Sequence, residues 1–177
     1  MRYCALIGDI EWYEDALIDN LTQEMTNVVD KYGSVTFIAA PMCVYNGRVS
    51  GVIEKVKKLR ASASFVLCAH RYTADYVAPG EPFDTIVIPA DINKVEDFYP
   101  YMCRWIIEKC ETAVIYVDRK SVLGKNPLSV NALALAEHAR SLGKEMMVIE
   151  PSDDALKQID EKEKNECLPD DFFDGLN

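Results

Sequence analysis

Short apolar runs alternate along the chain with longer segments in which apolar residues recur every three or four positions. A continuous apolar run closed by Gly, Pro or Asp is typical of a strand that is buried on both faces. The spacing of three or four is typical of a helix that packs one side against such a sheet. The runs predict six strands, at 3–7, 35–40, 64–69, 84–88, 113–117 and 146–149. The longer segments predict helices at 14–32, 49–59, 95–110 and 128–142.

The residues that end these segments fit the same alternation. Leu17, Leu21 and Met25 form part of one apolar stripe in the first predicted helix, and Gly33 can end that helix. Pro100 falls near the start of the third predicted helix, where its missing N–H costs nothing. Strands that alternate with helices imply right-handed crossovers and a parallel sheet covered on both faces. We therefore predict an α/β fold, a three-layer Rossmann-like sandwich with a doubly wound, mostly parallel sheet of five or six strands.

Length and charge divide the chain into one domain and a tail. A chain of 177 residues fits one hydrophobic core, and we place that domain at 1–150. Residues 151–177 hold nine Asp or Glu against three Lys, a net charge of −6 out of −10 for the whole chain. This composition is typical of a solvated acidic tail, either with a short helix at 154–164 or largely mobile.

The charge and the cysteines exclude several classes of partner. A net charge of −10 argues against the extended basic face that bulk nucleic acid requires. No apolar run reaches the roughly 18 residues of a membrane span, and the first apolar run is too short for a secretory signal. The six cysteines form no C-x-x-C pair and the chain has only two histidines, which favours buried free thiols in a reducing cytoplasm over a zinc site. We expect no metal and no resident cofactor.

Ligands of an open parallel sheet bind outside the carboxyl ends of the strands, so the residues that follow the strands are the first candidates. Gly8 and Asp9 follow the first strand. Gly8 either gives a turn its backbone freedom or lets a ligand approach the backbone. Arg48 lies between Gly47 and Gly51 near a helix start, where backbone N–H groups and a guanidinium can hold a phosphate. An ordinary Asn-Gly turn is the alternative at this place.

Further polar residues follow the third and fifth strands. His70 and Arg71 come directly after the third strand, and His70 can titrate near neutral pH but shows no partner in the sequence. Asp118 ends the fifth strand and either accepts from a ribose hydroxyl or pairs with its neighbour Arg119. Ser129, near the start of the last helix, is either a ligand donor or a helix cap. The spacing reveals no pair of nucleophile and base, so the catalytic residues stay unassigned.

Arg104 stands in a largely apolar helical stretch, between Cys103 and Trp105. A buried guanidinium is costly unless it is paired or hydrogen-bonded. The partner would be a carboxylate such as Asp118 or an anionic ligand. The alternative is an arginine that extends over the helix surface into water.

Four stretches, in this order, carry a family resemblance. They are Cys-Ala-Leu-Ile-Gly at 4–8, Tyr-Met-Cys-Arg-Trp at 101–105, Val-Ile-Tyr-Val-Asp at 114–118 and Ala-Arg-Ser-Leu-Gly-Lys at 139–144. Together with the order of the segments over 2–150, they resemble the SLOG superfamily of Rossmann-like proteins. That superfamily includes the Smf/DprA and Lonely Guy groups, and this chain is most similar to its YpsA-like branch.

The resemblance implies a nucleotide or nucleotide-derived ligand at the loop-bearing end of the sheet, with Gly8, Arg104 and Asp118 at the site. The chain departs from the family pattern at two places. Residues 39–43 replace a glycine-rich stretch, and 130–132 replace a Gly-Gly-Thr phosphate loop. Since both loops would supply backbone donors for phosphate, we favour a divergent binding or sensor protein over a hydrolase.

Three functions are compatible with the sequence. The first is binding or sensing of a nucleotide-like small molecule at the C-terminal edge of the sheet. The second is a hydrolase or transferase that acts on the N-glycosidic bond of nucleosides or nucleotides, with Asp9 or Asp118 as the strand-end carboxylate. The third is an interaction protein with a relict pocket, such as a homodimer. Its signs are the aromatic residues at 98, 99, 101, 105, 172 and 173. The alternative is that the aromatic residues at helical spacing belong to the core.

Overall fold

The computed structural model describes residues 1–8, 15–40, 47–69, 82–89, 98–116 and 132–150, which hold six strands and four helices. The strands are β1 (Arg2–Ile7), β2 (Val35–Ala39), β3 (Ala63–Cys68), β4 (Thr85–Val87), β5 (Thr112–Tyr116) and β6 (Glu145–Ile149). The helices are α1 (Asp15–Tyr32), α2 (Gly47–Leu59), α3 (Phe98–Lys109) and α4 (Ala132–Ser141). Each predicted strand and helix has a counterpart, with bounds that differ by a few residues.

The six strands form one sheet in the order β4-β3-β2-β1-β5-β6, and every pairing among the described residues is parallel. From β1 the chain winds outward through β2 and β3 to β4. It then crosses over to β5, on the other side of β1, and continues to β6. The prediction of a doubly wound α/β sheet is confirmed, and its winding direction reverses between β1 and β5.

The helices cover the sheet in two pairs. α1 packs against α2, and α3 packs against α4. α1 also contacts β2, β5 and β6, whereas α3 contacts β1 and α4 contacts β5 and β6. These contacts produce the three-layer arrangement that the alternation of strands and helices predicts.

Burial follows the pattern that a covered parallel sheet requires. All five residues of β5 are buried, and so are the last four of β1. Phe37 of β2 and Phe65 of β3 stack with their ring centroids 5.1 Å apart. β4 differs because its three residues are all exposed, as a short strand at the rim of the sheet has a neighbour on one side only.

α1 shows how local sequence sets a helix and its end. Its residues Leu21 and Met25 are fully buried, in the predicted stripe. Gly33 follows the helix with a φ of +82°, and its N–H donates to the Val29 carbonyl at 2.7 Å. Glycine takes this left-handed conformation without the strain that a side chain adds. Pro100 likewise falls in the first turn of α3, as predicted.

Polar contacts tie α1 to β6 at the amino-terminal edge of the sheet. Glu145 accepts hydrogen bonds from Lys31 Nζ and from Tyr32 OH. The hydrogen bond from Lys31 is the main cause that holds the pKa of Glu145 below its usual value of 4.5. The Arg2 guanidinium lies 3.9 Å from the centre of the Tyr32 ring, in a cation–π contact. Ion-pair, hydrogen-bond and cation–π contacts therefore connect β1, α1 and β6 at this edge.

Candidate functional site

The reversal of winding between β1 and β5, which we call the switch point, is where an open parallel sheet offers a crevice to a ligand. β1 ends at Ile7 and β5 ends at Tyr116, and because the strands are paired and parallel their carboxyl ends lie side by side. Gly8 directly follows β1 and is buried. Gly8 therefore lies at the switch point.

Gly8 has a close neighbour that accounts for its missing side chain. Its φ is +143°, a conformation in which residues with a side chain are strained. A Cβ atom built on Gly8 would lie 2.2 Å from the Tyr116 carbonyl oxygen and 2.5 Å from Cδ2 of the Tyr116 ring. In the structure, the missing side chain of Gly8 therefore gives room to Tyr116 at the end of β5.

Tyr116 is the residue at the switch point that the sequence analysis missed. It is fully buried at the end of β5. The register that sets Ile7 opposite Ile115 brings Tyr116 level with Gly8. A tyrosine at the end of an apolar strand is visible in the sequence, but its neighbour depends on the strand order, which the pattern does not reveal.

All four described helices begin at the edge that contains the switch point, because each follows one strand and precedes a parallel strand. α2 follows β2 and precedes the parallel β3, so its amino terminus lies at the carboxyl ends of the strands. α4 lies in the same way between β5 and β6. Arg48 is the second residue of α2, near a helix start as predicted. The structure describes its backbone but not its side chain. The backbone N–H groups of a first helical turn point along the axis, and together with the helix dipole they favour an anion at such a position.

Arg104 lies on the exposed side of α3. Its neighbours Cys103 and Ile107 are fully buried, so α3 packs its other side into the core. The sequence left two alternatives, a buried and paired Arg104 or an Arg104 that extends over the helix surface into water. The structure agrees with the second. Arg104 is six residues into α3, about 9 Å along the axis from the helix start. A ligand that contacts it must therefore extend over the outer side of α3.

Several predicted features lie outside the described residues. His70 is among them, and so is the acidic tail at 151–177. Four of the seven predicted ligand-binding residues also fall there and stay predictions. These four are Asp9, Arg71, Asp118 and Ser129.

The buried thiols are poor candidates for a nucleophile. Cys4, Cys68, Cys103 and Cys110 are free and buried, as the sequence predicts for these four. Burial raises the pKa of the Cys4 thiol to about 12 and the pKa of the Cys68 thiol to about 12. The thiolate is the reactive form of cysteine, and it is scarce at neutral pH when the pKa is this high.

A groove of about 510 Å³ lies to one side of the switch point, between α1 and the rim strand β6. The pattern of apolar and polar residues does not indicate this groove. Its lining includes the acidic residues Glu24 and Glu150 together with Asn20. Because two carboxylates repel a phosphate, this groove does not suit a nucleotide, and the switch point remains the candidate site.

Two features are absent from the described residues, a cluster of metal ligands and a membrane-spanning helix. Among the described residues, no group of three or more His, Cys, Asp or Glu side chains could hold a metal ion. None of the described helices combines the length and the apolar character that a membrane crossing requires.

Comparisons with known proteins leave the family open, since neither a scan against protein-family models nor a search of curated proteins finds a match. The function of the carboxyl edge is therefore inferred from its geometry and its residues.

Proposed function

We propose that this chain binds or senses a nucleotide-like small molecule at the carboxyl edge of its sheet, as a divergent SLOG-type protein. The observation that carries the proposal is the switch point between β1 and β5, at an edge where α2 and α4 both begin. Ligands collect there in doubly wound sheets because the crossovers leave in opposite directions and open a crevice. The helix amino termini add partial positive charge that suits phosphate.

Tyr116 limits how a ligand can approach the switch point. Its ring and carbonyl occupy the space beside Gly8, so a phosphate cannot lie against the Gly8 backbone on that side. In our proposal the first turn of α2 holds the phosphate instead, with Arg48 adding a guanidinium. This arrangement needs neither of the two glycine-rich loops that the sequence lacks.

A binding protein rather than an enzyme is the proposal because residues 39–43 and 130–132 replace the two loops that would supply backbone donors for phosphate. An enzyme that acts on an N-glycosidic bond needs a carboxylate beside the sugar. The strand-end candidates Asp9 and Asp118 lie outside the described residues, so this role stays a prediction. We place the binding protein in the reducing cytoplasm, where its buried free thiols stay reduced.

Titration of the full chain with nucleotides and ADP-ribose derivatives, followed by heat of binding and by thermal shift, tests the proposal. We expect at least one compound to bind and to raise the Tm. Arg48→Ala should weaken its binding by about tenfold or more, since a hydrogen bond to a charged group contributes about 1.5–3 kcal/mol. If no compound of the panel gives either heat of binding or a thermal shift, the proposal is contradicted.

Arg140→Ala is the matched control for Arg48→Ala. Arg140 is exposed and lies in the last turn of α4, at the far end of that helix from the carboxyl edge, so its loss should leave the affinity unchanged. Arg104→Ala asks a separate question, whether the ligand extends over α3. Loss of affinity in a folded Arg104 variant would support that contact, and unchanged affinity would assign the side chain to solvent.

A further inference from the structure

β4 is a rim strand that exposes apolar side chains at an open edge. Among the described residues it pairs with β3 alone. Ile86, Val87 and Ile88 are 43%, 38% and 45% exposed. Other exposed leucines, such as Leu59 and Leu142, stand singly at the ends of helices. Three consecutive exposed apolar residues, two on a rim strand and one directly after it, are typical of an association surface.

The backbone of β4 is oriented for pairing with one more strand. The Val87 carbonyl accepts a hydrogen bond from the Ala69 N–H at 2.9 Å, so Val87 directs its carbonyl toward β3. Successive residues of a strand direct their polar groups to opposite sides in the ladder. The N–H and C=O of Ile86 therefore point away from the sheet, where another strand can pair with them.

Charge does not protect this edge. Natural rim strands limit self-pairing through short length, charge, proline or a bulge, and here β4 has three residues and Pro89 follows Ile88. Asp84, which precedes β4, has a side chain that is about half exposed, and its carboxylate is bound toward α2 and β3, since its Oδ1 accepts from Lys57 Nζ at 2.6 Å and its Oδ2 accepts from the Phe65 N–H at 2.7 Å. Residues 85–88 carry no charge, in a chain whose net charge of −10 opposes association of its copies. The rim formed by 85–88 is thus a place where two copies can approach without like charges facing each other.

We infer that β4 pairs antiparallel with β4 of a second copy of this chain, about a two-fold axis, so that the two sheets become one. A second copy suits this edge because a two-fold axis sets the apolar residues opposite the same apolar residues and needs no complementary charge. A basic or acidic partner would find no counter-charge on residues 85–88. The contact is separate from the proposed function, since it lies at a rim of the sheet rather than at the switch point.

The size of the edge sets the strength of this dimer. β4 has three residues, so the paired strands bury less surface than the roughly 1,200 Å² at which specific, stable interfaces begin. The dimer is therefore a concentration-dependent species in equilibrium with the monomer.

Analytical ultracentrifugation of the full chain, from about 5 to about 500 µM, tests the inference in the range where such small interfaces associate. The wild type should pass from monomer to dimer. Ile86→Lys should weaken association by about tenfold or more, because the two-fold axis brings the introduced charges close together. Ile86→Pro should weaken it similarly, since it removes the outward N–H and leaves the ladder with β3 intact.

Leu142→Lys is the matched control, because it places the same charge at a leucine that is 44% exposed elsewhere. It should associate as the wild type does. In the wild type, hydrogen exchange at the Ile86 amide should slow as concentration rises, and this readout decides the matter if an Ile86 variant does not fold. A monomer across the whole range, a dimer that persists in folded Ile86 variants, or an equal loss in Leu142→Lys would each overturn the inference.

Discussion

At Gly8, one missing side chain allows two strand ends to meet. The Tyr116 carbonyl and ring stand where a Cβ atom would be, and the φ of +143° is itself unfavourable for any residue with a side chain. The nearest atom is a backbone oxygen of a fully buried residue, so it cannot move aside as the end of a flexible side chain can. A steric cost and a conformational cost therefore coincide at this position.

Gly8→Ala should destabilise the protein by about 2–5 kcal/mol, a fall in Tm of about 5–15 °C for a chain of this length. Gly51→Ala is the matched control, because nothing lies within 4 Å of a Cβ built at Gly51 in α2. A helical glycine replaced by alanine gains about 0.5–1 kcal/mol. Thermal denaturation followed by circular dichroism measures both variants, and a Gly8→Ala protein that melts with the wild type would refute the steric account.

Between elements, Glu145 links β6 to α1, and this link depends on pH. The hydrogen bonds from Lys31 and Tyr32 lower the pKa of Glu145 from its usual 4.5. A carboxyl group whose pKa is lowered by folding contributes stability above pH 4.5, and that contribution is lost as the pH falls through the folded-state pKa. Lys31 and Glu145 are both about half exposed, so solvent and salt screen the interaction.

Glu145→Gln should lower the Tm slightly at about pH 7, and its difference from the wild type should shrink as the pH falls below 4.5. Added salt should reduce the same difference. Glu137→Gln on α4 is the matched control, because it also removes one exposed carboxylate. Its Tm difference from the wild type should not follow this trend with pH and salt. Melting curves across the pH range measure the effect, and a difference that stays constant from neutral to acid pH would contradict it.

The elements themselves are readable from the sequence because periodicity records the burial of each segment on its own. The stripe of α1 and the apolar run of β5 are examples. Strand order and register depend on contacts between distant segments, so the meeting of Gly8 with Tyr116 is not readable. The run at 84–88 likewise predicts a strand without showing that β4 lies at the rim. The outward position of Arg104 depends on which side of α3 meets the core.

On the scale of the whole molecule, four buried cysteines report on unfolding. They belong to one continuous core, and burial raises the pKa of three of them. A thiol reagent therefore reaches them only when the core opens. The four are Cys4, Cys68, Cys103 and Cys110.

In increasing denaturant, the modification of these cysteines should follow the unfolding transition seen by circular dichroism. Mass spectrometry of the digested chain resolves each site. Cys68, at the end of β3 beside the rim strand, is the informative position. If it reacts at lower denaturant than Cys4, the β4 side opens before the centre of the sheet, and a single cooperative transition is ruled out.

The place of β1 between β2 and β5 also has a consequence for the chain during its synthesis. The Tyr3 N–H bonds to Glu111, 108 residues further along the chain, just before β5. At about 5–20 residues per second, translation needs roughly 5–20 s to cover that separation. β1 can join β2 and β3 early, but its other edge has no partner until β5 leaves the ribosome. During that interval β1, one of the two central strands of the finished sheet, is a temporary edge, open to chaperones and to mispairing between nascent chains.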